Sequence, residues 1–484
     1  MKRLNLLSIF LIGSLICLSA SSLTSFPEPF DDEGLYAGFS KNFSLTGNFN
    51  YPDYNTAPPF DTGNALVSPV ITGLYGFLGP HFGFTLQNAR VVSFILVWIA
   101  ALFWFFICKL IGFNPWLGTL LFVSTERIFY ASHVFRPEGS LVLGNVVLIF
   151  LLTAAFKKGL NLPRAFILGL FNAFLVLAHG NGITSALLTS YVVVQNLFKR
   201  KFKATLSTLI YIIGSLGGIG IFYLAQLKSN GGFAAFRSQS MPIEQYRKTL
   251  LEILKLDITD RWGRELIIVG GSNSAKLLRI LFYLICFATI IYSLSRKKRS
   301  IESKESFSDG IAHQAAQWAL FIILAYMFVV WDKIDIHIAE MMPFFLFSFI
   351  TWYEAHRTTT KAKFSLNNIS LVILLIINLM LTVHHAIAYR PPTLTDKMVN
   401  ELSVYVSTQT KIPSKDIKYY VGKMNIWFGI HDRLHVISHR FAWQHFPLSG
   451  GVIVGVDSEG LEQLKKCQLL EKTPLPWFSL YRCP

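Results

Sequence analysis

Long apolar segments recur along this chain, and they restrict its fold more than any other feature does. A helix needs about 20 apolar residues to cross a bilayer, and about eleven segments approach that length. Only 15% of the 484 residues are charged, whereas a soluble domain has about 25%. The sequence therefore predicts a polytopic α-helical membrane protein. The predicted spans are residues 4–24, 91–111, 115–132, 138–156, 164–179, 183–198, 205–227, 275–294, 315–331, 338–353 and 366–386.

Basic residues are grouped in short clusters between these segments. Examples are Lys157-Lys158, Lys199-Arg200-Lys201 and Arg296-Lys297-Lys298-Arg299. If the N-terminus is cytoplasmic, alternation along the predicted spans puts every such cluster on the cytoplasmic side, in agreement with the positive-inside rule. A nucleic-acid-binding surface needs one continuous basic stripe, so the net charge of +16 does not indicate a nucleic-acid partner.

The same alternation puts four pieces of the chain outside the cytoplasm. In the first of them, the segment 66–86 is interrupted by proline and glycine, so we expect helices that lie at the membrane interface. The last piece has strand-like runs such as IKYYVG, LHVISH and GGVIVGV, which predict a small α/β domain. We therefore predict a membrane domain over 1–386 and an extracytoplasmic domain over 387–484. The four outer pieces are the loops 25–90, 133–138 and 228–274 and the tail 387–484.

Two features of these outer regions have alternative readings. The first apolar segment, 4–24, is followed by small residues, so a cleaved signal peptide is the alternative to a first span. Cys467 and Cys483 lie in the predicted extracytoplasmic domain, where an oxidising compartment would allow a disulfide between them. The alternative for this pair is two free thiols.

Three adjacent acidic residues, Asp31, Asp32 and Glu33, follow the first span at the start of the first outer loop. One reading is a solvated cluster at the membrane surface that helps to set the topology. The other is a catalytic carboxylate that takes a proton from an attacking hydroxyl group, which contributes roughly 10²–10⁴-fold to a reaction rate. The residue types alone leave both readings open.

Four short motifs follow one another along the chain. The first is DEGLYA, with LTGNF after it, within residues 32–49, and the second is QNARVVS at 87–93. The third is Arg136-Pro137-Glu138, and the fourth is DKIDIHIAEMMP at 332–343. Their order on the predicted topology resembles that of polyprenyl-phosphate-sugar-dependent glycosyltransferases of the GT-C fold, which include protein O-mannosyltransferases and aminoarabinose transferases. The resemblance covers most of residues 1–350.

The resemblance implies transfer of a sugar from a polyprenyl phosphate to a glycan, lipid or protein acceptor outside the cytoplasm. The short loops and the outer tail indicate a bacterial protein, so we expect the periplasmic side of an inner membrane. The sequence departs from the family where the proline-rich stretch after the first loop is degenerate, at 68–75, and where His337-Ile338 replaces the usual Arg-Tyr. These departures concern the substrate more than the fold. The alternative class is a transporter or flippase for a lipid-linked or small polar substrate, which would need ionisable residues near the middle of the membrane.

The resemblance also assigns roles to residues of the first loop. Asp32 is the general base, Glu33 orients it or binds the acceptor, and Asp31 is the alternative base. Tyr36 and His179 are further candidates for the pocket, although a lone histidine is also often a packed, hydrogen-bonded residue. Members of the family differ in metal dependence, so the binding of a divalent metal at Asp32 stays open.

The departing polyprenyl phosphate is an anion, and it needs cationic groups on the same side of the membrane as the base. Candidates for this role are Arg90, Arg136, Lys333 and His337. For Arg90 the alternative is an interfacial anchor, and for Lys333 it is a surface ion pair. For Arg136 the alternative is a structural pair with Glu138, which is itself a candidate for the pocket.

Overall fold

The computed structural model describes residues 2–27, 31–47, 68–197, 202–229, 273–295, 304–329, 338–357 and 366–388, together with five strands near the C-terminus. The helices are α1 (Lys2–Ser22), α2 (Asp31–Thr46), α3 (Pro69–Phe82), α4 (Leu86–Ile111), α5 (Pro115–Val123), α6 (Glu126–Ala131), α7 (Pro137–Lys158), α8 (Leu162–Ala178), α9 (Gly182–Leu197), α10 (Phe202–Ser229), α11 (Asn273–Ser295), α12 (Lys304–Val329), α13 (Ile338–Arg357) and α14 (Leu366–Ala388). The strands are β1 (Ile417–Gly422), β2 (His435–Ser438), β3 (Val452–Gly455), β4 (Gln468–Lys472) and β5 (Ser479–Arg482).

Six of the described helices are long and apolar enough to cross a membrane. Three more, α8, α9 and α10, contain shorter apolar stretches. The prediction of a polytopic α-helical membrane protein is confirmed, while the count of about eleven spans stays a prediction. The six long segments are Arg3–Ser22, Leu86–Ile111, Pro137–Lys158, Ser274–Ser295, Asp309–Met327 and Asn367–His384.

The segment 115–132, predicted as one span, is divided into α5 and α6. After α5 ends at Val123, the backbone of Thr125 is extended, with φ −68° and ψ 119°. The Thr125 hydroxyl donates to the Leu121 carbonyl at 2.8 Å, and such side-chain bonds compete with the helical ladder. Glu126 then begins α6, where the helix dipole favours a carboxylate. Polar residues therefore end one helix and begin another within an apolar stretch.

α13 lies in the centre of the bundle. Nearly all of its residues are buried, and it packs against α7, α11 and α12. A helix that is apolar on every side belongs in the interior of a bundle, and the run FFLFSFI at 344–350 meets this condition. The same helix carries the buried residue Glu340 in its first turn, so a carboxylate is placed at one end of the central helix.

α8 and α10 approach each other closely through small residues. A β-carbon at Gly169 of α8 would lie 2.3 Å from the Tyr211 carbonyl oxygen, and one at Gly214 of α10 would lie 2.7 Å from a carbonyl oxygen of α8. A β-carbon at Gly218 would lie 2.7 Å from Cβ of Ala173. Small residues four positions apart on both helices therefore bring the two backbones together, as in many membrane helix pairs.

Replacing Gly169 by Ala is expected to lower the free energy of unfolding by about 1–3 kcal/mol, because the added methyl group forces the two helices apart. Gly217→Ala is the matched control in α10. Among the described residues, no atom outside the neighbouring helical backbone lies within 4 Å of a β-carbon built at Gly217, so this change should be neutral or stabilising. Denaturant unfolding in detergent micelles measures both effects. Equal effects would contradict the close approach of α8 and α10.

The two ends of the bundle differ in charge. α7 has Glu138 in its first turn and Lys157 and Lys158 in its last turn, and α13 has Glu340 in its first turn and Arg357 in its last. Acids at helix N-termini and bases at C-termini are favoured by the helix dipole. We call the end of the bundle where α2, α7 and α13 begin the carboxylate end, and the opposite end the basic end.

The C-terminal strands form one mixed sheet in the order β2-β1-β3-β5-β4. β1 pairs in parallel with β2 and β3, and β5 pairs in antiparallel orientation with β3 and β4. The first three strands coincide with the runs IKYYVG, LHVISH and GGVIVGV. The boundary of an extracytoplasmic domain at residue 387 stays a prediction, and the predicted pair Cys467 and Cys483 lies outside the described residues.

Candidate active site

Glu33 and Arg90 form an ion pair that joins α2 to α4. Arg90 Nε donates to Glu33 Oε1 at 2.9 Å, and Nη2 donates to Oε2 at 2.8 Å. Both side chains are 0% exposed. The Phe135 N–H also donates to Glu33 Oε1, at 2.7 Å. The same carboxylate therefore also fixes the segment between α6 and α7. A bidentate pair of this kind fixes geometry in addition to neutralising charge.

The remaining contacts of Arg90 hold the chain between α1 and α2. Its Nη1 lies within 2.8–3.2 Å of three backbone carbonyl oxygens. The guanidinium is thus enclosed by the protein and surrounded by acceptors, which favours a structural role in the protein interior over either phosphate binding or anchoring at the membrane interface. The three carbonyls belong to Leu23, Phe26 and Pro27.

Asp32, Arg136 and Glu138 form a row of alternating charges at the carboxylate end, here called the charged chain. Arg136 Nη1 donates to Asp32 Oδ2 at 2.5 Å, and Nη2 lies 3.1 Å from Glu138 Oε1. The side chains of Glu138 and Arg136 are 1% and 4% exposed, whereas that of Asp32 is 39% exposed. Burial lowers the pKa of Arg136, but Glu138 and Asp32 outweigh this effect and raise it. A permanently charged guanidinium therefore connects a buried carboxylate to an accessible one.

Tyr36 lies one helical turn after Asp32 on α2 and belongs to the same group. Removal from solvent raises the pKa of its phenol, and the Arg136 guanidinium only partly opposes this effect. The Tyr36 hydroxyl also bonds with the side chain of Ser68. The phenol is therefore neutral at physiological pH and retains its proton for hydrogen bonding at this site.

A second buried carboxylate, Glu340, lies at the same end of the bundle. Its Oε1 lies 2.7 Å from His179 Nδ1, and its Oε2 accepts from Asn181 Nδ2 at 3.1 Å and from the Tyr326 hydroxyl. The Glu340 side chain is 0% exposed, whereas that of His179 is 15% exposed. We call these four residues the Glu340 cluster. A carboxylate bonded to one ring nitrogen fixes the orientation of a histidine, so Glu340 fixes the His179 ring through Nδ1.

The charged chain and the Glu340 cluster are connected through α7. Ser140 Oγ, in the first turns of that helix, lies 2.6 Å from the Pro137 carbonyl oxygen and 3.1 Å from the carbonyl oxygen of Ala178, directly before the histidine of the cluster. The charges of Glu340 and Glu138 both act on the Tyr326 hydroxyl. The two groups of ionisable side chains, from α2, the start of α7, the end of α8, α12 and α13, therefore lie at the same end of the bundle.

Sequence reasoning singled out the charged chain but assigned no role to Glu340. The motif at 332–343 contains this residue, and the available signal was one acidic residue that enters an apolar helix. Lys333 and His337, predicted to bind phosphate, lie outside the described residues, as does the side chain of Asp31. Among the residues that the structure describes, no group of three or more His, Cys, Asp or Glu side chains is arranged to hold a metal ion.

His133 is a fully buried histidine that ties α1 to α6 beside this site. Its Nε2 lies 3.0 Å from Ser22 Oγ and 3.1 Å from the Ser19 carbonyl oxygen, and its Nδ1 lies 2.8 Å from the Phe129 carbonyl oxygen. Burial lowers the pKa of His133 to about 4, and the charge of Arg90 acts in the same direction. The imidazole is therefore neutral at physiological pH.

The stability of the protein should depend on pH through His133. Because the folded-state pKa lies below the ordinary value of 6.5, the stability contributed by the neutral ring is complete above that value. It is lost as pH falls towards about 4, since the unfolded chain binds the proton first. Over this range the wild type should lose about 3 kcal/mol more unfolding free energy than His133→Gln. Exposed His81 provides the control, His81→Gln, and identical pH profiles for all three proteins would contradict a buried neutral ring.

No protein-family model matches the chain, and no curated protein matches it. Solved structures do. ArnT from Cupriavidus metallidurans bound to undecaprenyl phosphate is 11% identical, with 98% of this chain and 97% of that chain covered and a TM-score of 0.58. Its apo state gives the same identity and coverage with a TM-score of 0.57. At this identity the likeness shows the fold, and the predicted GT-C fold is confirmed.

Proposed function

We propose that this GT-C chain is an integral-membrane glycosyltransferase that moves a sugar from a polyprenyl phosphate to an acceptor hydroxyl or amine. The observation that carries the proposal is the charged chain, in which an accessible carboxylate, Asp32, is held by a buried Arg136–Glu138 pair. An oriented carboxylate at the open end of such a chain has the placement required of a general base.

In the proposed reaction, the acceptor oxygen or nitrogen attacks the anomeric carbon of the donor. Asp32 takes the proton from the acceptor as the new bond to the sugar forms. The bond between the anomeric carbon and the phosphate oxygen breaks, and the polyprenyl phosphate leaves with the electron pair. Arg136 holds Asp32 through one carboxylate oxygen, and Glu138 holds Arg136, so the base keeps its position during the reaction.

The residues near Asp32 have proposed roles as well. Glu33 and Arg90 anchor the first loop, so we assign them to positioning of Asp32 rather than to contact with the substrate. Lys333 and His337 stay proposed as ligands of the donor phosphate. Asp31 stays the alternative base.

The proposed donor is a polyprenyl-phosphate sugar, and a polyprenyl chain is stabilised by burial of its isoprene units between helices. The structurally similar ArnT was solved with undecaprenyl phosphate bound, which supports a carrier lipid of this class. We further propose that the carboxylate end faces outward from a bacterial inner membrane, since the basic end carries the residues expected in the cytoplasm. A glycan, a lipid or a protein can serve as the acceptor.

The transporter alternative draws on one observation, a buried ion pair between Glu126 and Arg279. Arg279 Nη2 lies 2.5 Å from Glu126 Oε1, and the side chains are 3% and 10% exposed, respectively. Ionisable residues inside a membrane domain often mark a transport path. Arg279 Nε also bonds to both carboxylate oxygens, so the charges of Glu126 and Arg279 offset each other. The accessible carboxylate of the charged chain therefore favours the enzyme.

A donor-discharge assay tests the proposal. Purified protein is incubated with polyprenyl phosphates that carry a hexose, an amino sugar or a pentose, together with a membrane extract that supplies acceptors. Mass spectrometry then measures free polyprenyl phosphate and the glycosylated product. We expect one donor class to be discharged and its sugar to appear on an acceptor. Failure to discharge any donor, by protein that still unfolds cooperatively, would contradict the proposed function.

A further inference from the structure

We infer that His179 binds the phosphate of the polyprenyl-phosphate donor, with Glu340 behind it as a positioning residue. This inference rests on the proposed function, and it assigns the donor side of the same site. The starting point is the Glu340 cluster, in which a fully buried carboxylate contacts one nitrogen of a partly exposed imidazole at 2.7 Å.

The cluster holds the imidazole in one orientation from several elements. Glu340 comes from α13, Tyr326 from α12, and Asn181 from the turn between α8 and α9. Asn145 Nδ2 of α7 donates to the Glu340 backbone carbonyl at 2.7 Å, which fixes the start of α13 against α7. Buried polar groups that satisfy one another in this way form a rigid support, and the exposed group on that support is His179.

The charges at this end of the bundle decide where a phosphate can bind. Asp32 carries a negative charge and repels it. The guanidinium of Arg90 is enclosed with Glu33, and that of Arg136 lies between two carboxylates. The phosphate therefore needs ligands other than these two arginines, in addition to Lys333 and His337 proposed above.

The Glu340 carboxylate lies 2.7 Å from Nδ1 of His179. A carboxylate on Nδ1 stabilises the positive charge of an imidazolium when an anion approaches Nε2. The Tyr326 hydroxyl bonds to the other carboxylate oxygen of Glu340, and the Glu138 carboxylate, whose charge acts on Tyr326, is paired with Arg136. Glu340 is therefore a buried carboxylate close enough to Nδ1 of His179 to position this histidine for phosphate binding.

This placement separates the two halves of the reaction. Asp32 on α2 serves the acceptor, and His179 between α8 and α9 serves the leaving phosphate. The contact between Ser140 Oγ and the Ala178 carbonyl oxygen joins α7, which carries Glu138, to the end of α8. A reacting sugar would lie between them.

The test compares two lipids that differ only in charge, undecaprenyl phosphate and undecaprenol. Their dissociation constants are measured for purified wild type, His179→Gln and Glu340→Gln in the same detergent. We expect His179→Gln to weaken the binding of undecaprenyl phosphate about 10–100-fold, the usual contribution of a charge-assisted hydrogen bond. The affinity for undecaprenol should not change. Glu340→Gln should also weaken the binding of undecaprenyl phosphate and not that of undecaprenol, by a smaller factor. His313→Gln, whose ring bonds to the Ser293 carbonyl, is the control with no expected effect.

The possible outcomes distinguish this inference from the proposed function. If His179 has only a structural role, His179→Gln should weaken the binding of both lipids equally, and that result would overturn the inference. Unchanged affinity for undecaprenyl phosphate in His179→Gln would overturn it as well, while the proposed function would stand if the wild type binds the phosphate lipid. If the wild type binds neither lipid, both the proposed function and this inference fail.

Discussion

Replacing Asp32 by Asn is expected to slow sugar transfer by about 10²–10⁴-fold, the usual contribution of a general base. The amide has nearly the same shape as the carboxylate, but it cannot take a proton from the acceptor. Its oxygen can still accept the hydrogen bond from Arg136, so the charged chain should keep its geometry. The rate is measured as discharge of the polyprenyl-phosphate sugar at saturating donor and acceptor.

Donor binding and folding should survive this substitution, because the Asp32 side chain is 39% exposed. Glu354→Gln makes the same chemical change at the basic end of α13, where Glu354 pairs with Arg357 at 2.9 Å. This control should transfer sugar at the wild-type rate. An Asp32→Asn variant that keeps the full rate would remove Asp32 from the reaction and make Asp31 the next candidate for the base.

Replacing Glu33 by Gln is expected to lower the free energy of unfolding by about 3–5 kcal/mol, because it leaves the Arg90 guanidinium buried without its carboxylate. That is a large fraction of the roughly 5–15 kcal/mol by which a folded domain is usually stable. The Phe135 N–H also loses a charged acceptor. Denaturant unfolding in detergent micelles measures the change, and the first loop should become more accessible to protease.

Glu354→Gln is the matched control for this experiment too. Its partner, Arg357, is 51% exposed, although Glu354 itself is only 11% exposed. Water screens a pair with one such exposed partner, so we expect it to contribute only about 0–1 kcal/mol. The two substitutions are chemically identical, so the difference between them measures the effect of burial. If Glu33→Gln is as stable as Glu354→Gln, the Glu33–Arg90 pair does not anchor the first loop.

Local patterns were sufficient to predict the class of fold. The length of an apolar segment and the charge of the loop that follows it depend only on residues that are close in the chain. The break at Thr125 was missed because polar residues are few in that stretch, and only their hydrogen bonds to the preceding turn show that the helix ends. The packing of Gly169 against Gly214 has a sequence signal in its small residues, but that signal does not say which two helices meet.

The partners in the site could not be read from the sequence. Arg90 and Arg136 each had a structural and a phosphate-binding reading, and the choice depends on contacts across 57 and 104 residues. The structure gives Arg90 an enclosed carboxylate and gives Arg136 an accessible one. Glu340 had no assigned role because its contact with His179 spans 161 residues. Helix packing, which local patterns do not encode, determines all of these pairs.

Photo-crosslinking tests the central proposal, a polyprenyl-phosphate site at the carboxylate end, most directly. The probe is a polyprenyl phosphate with a photoreactive group beside the phosphate, and mass spectrometry of the digested protein locates the adducts. We predict adducts on the start of α2, the turn between α8 and α9 and the start of α13, all lost when excess undecaprenyl phosphate is added. Adducts confined to the basic end, or labelling that excess undecaprenyl phosphate does not reduce, would contradict the proposal.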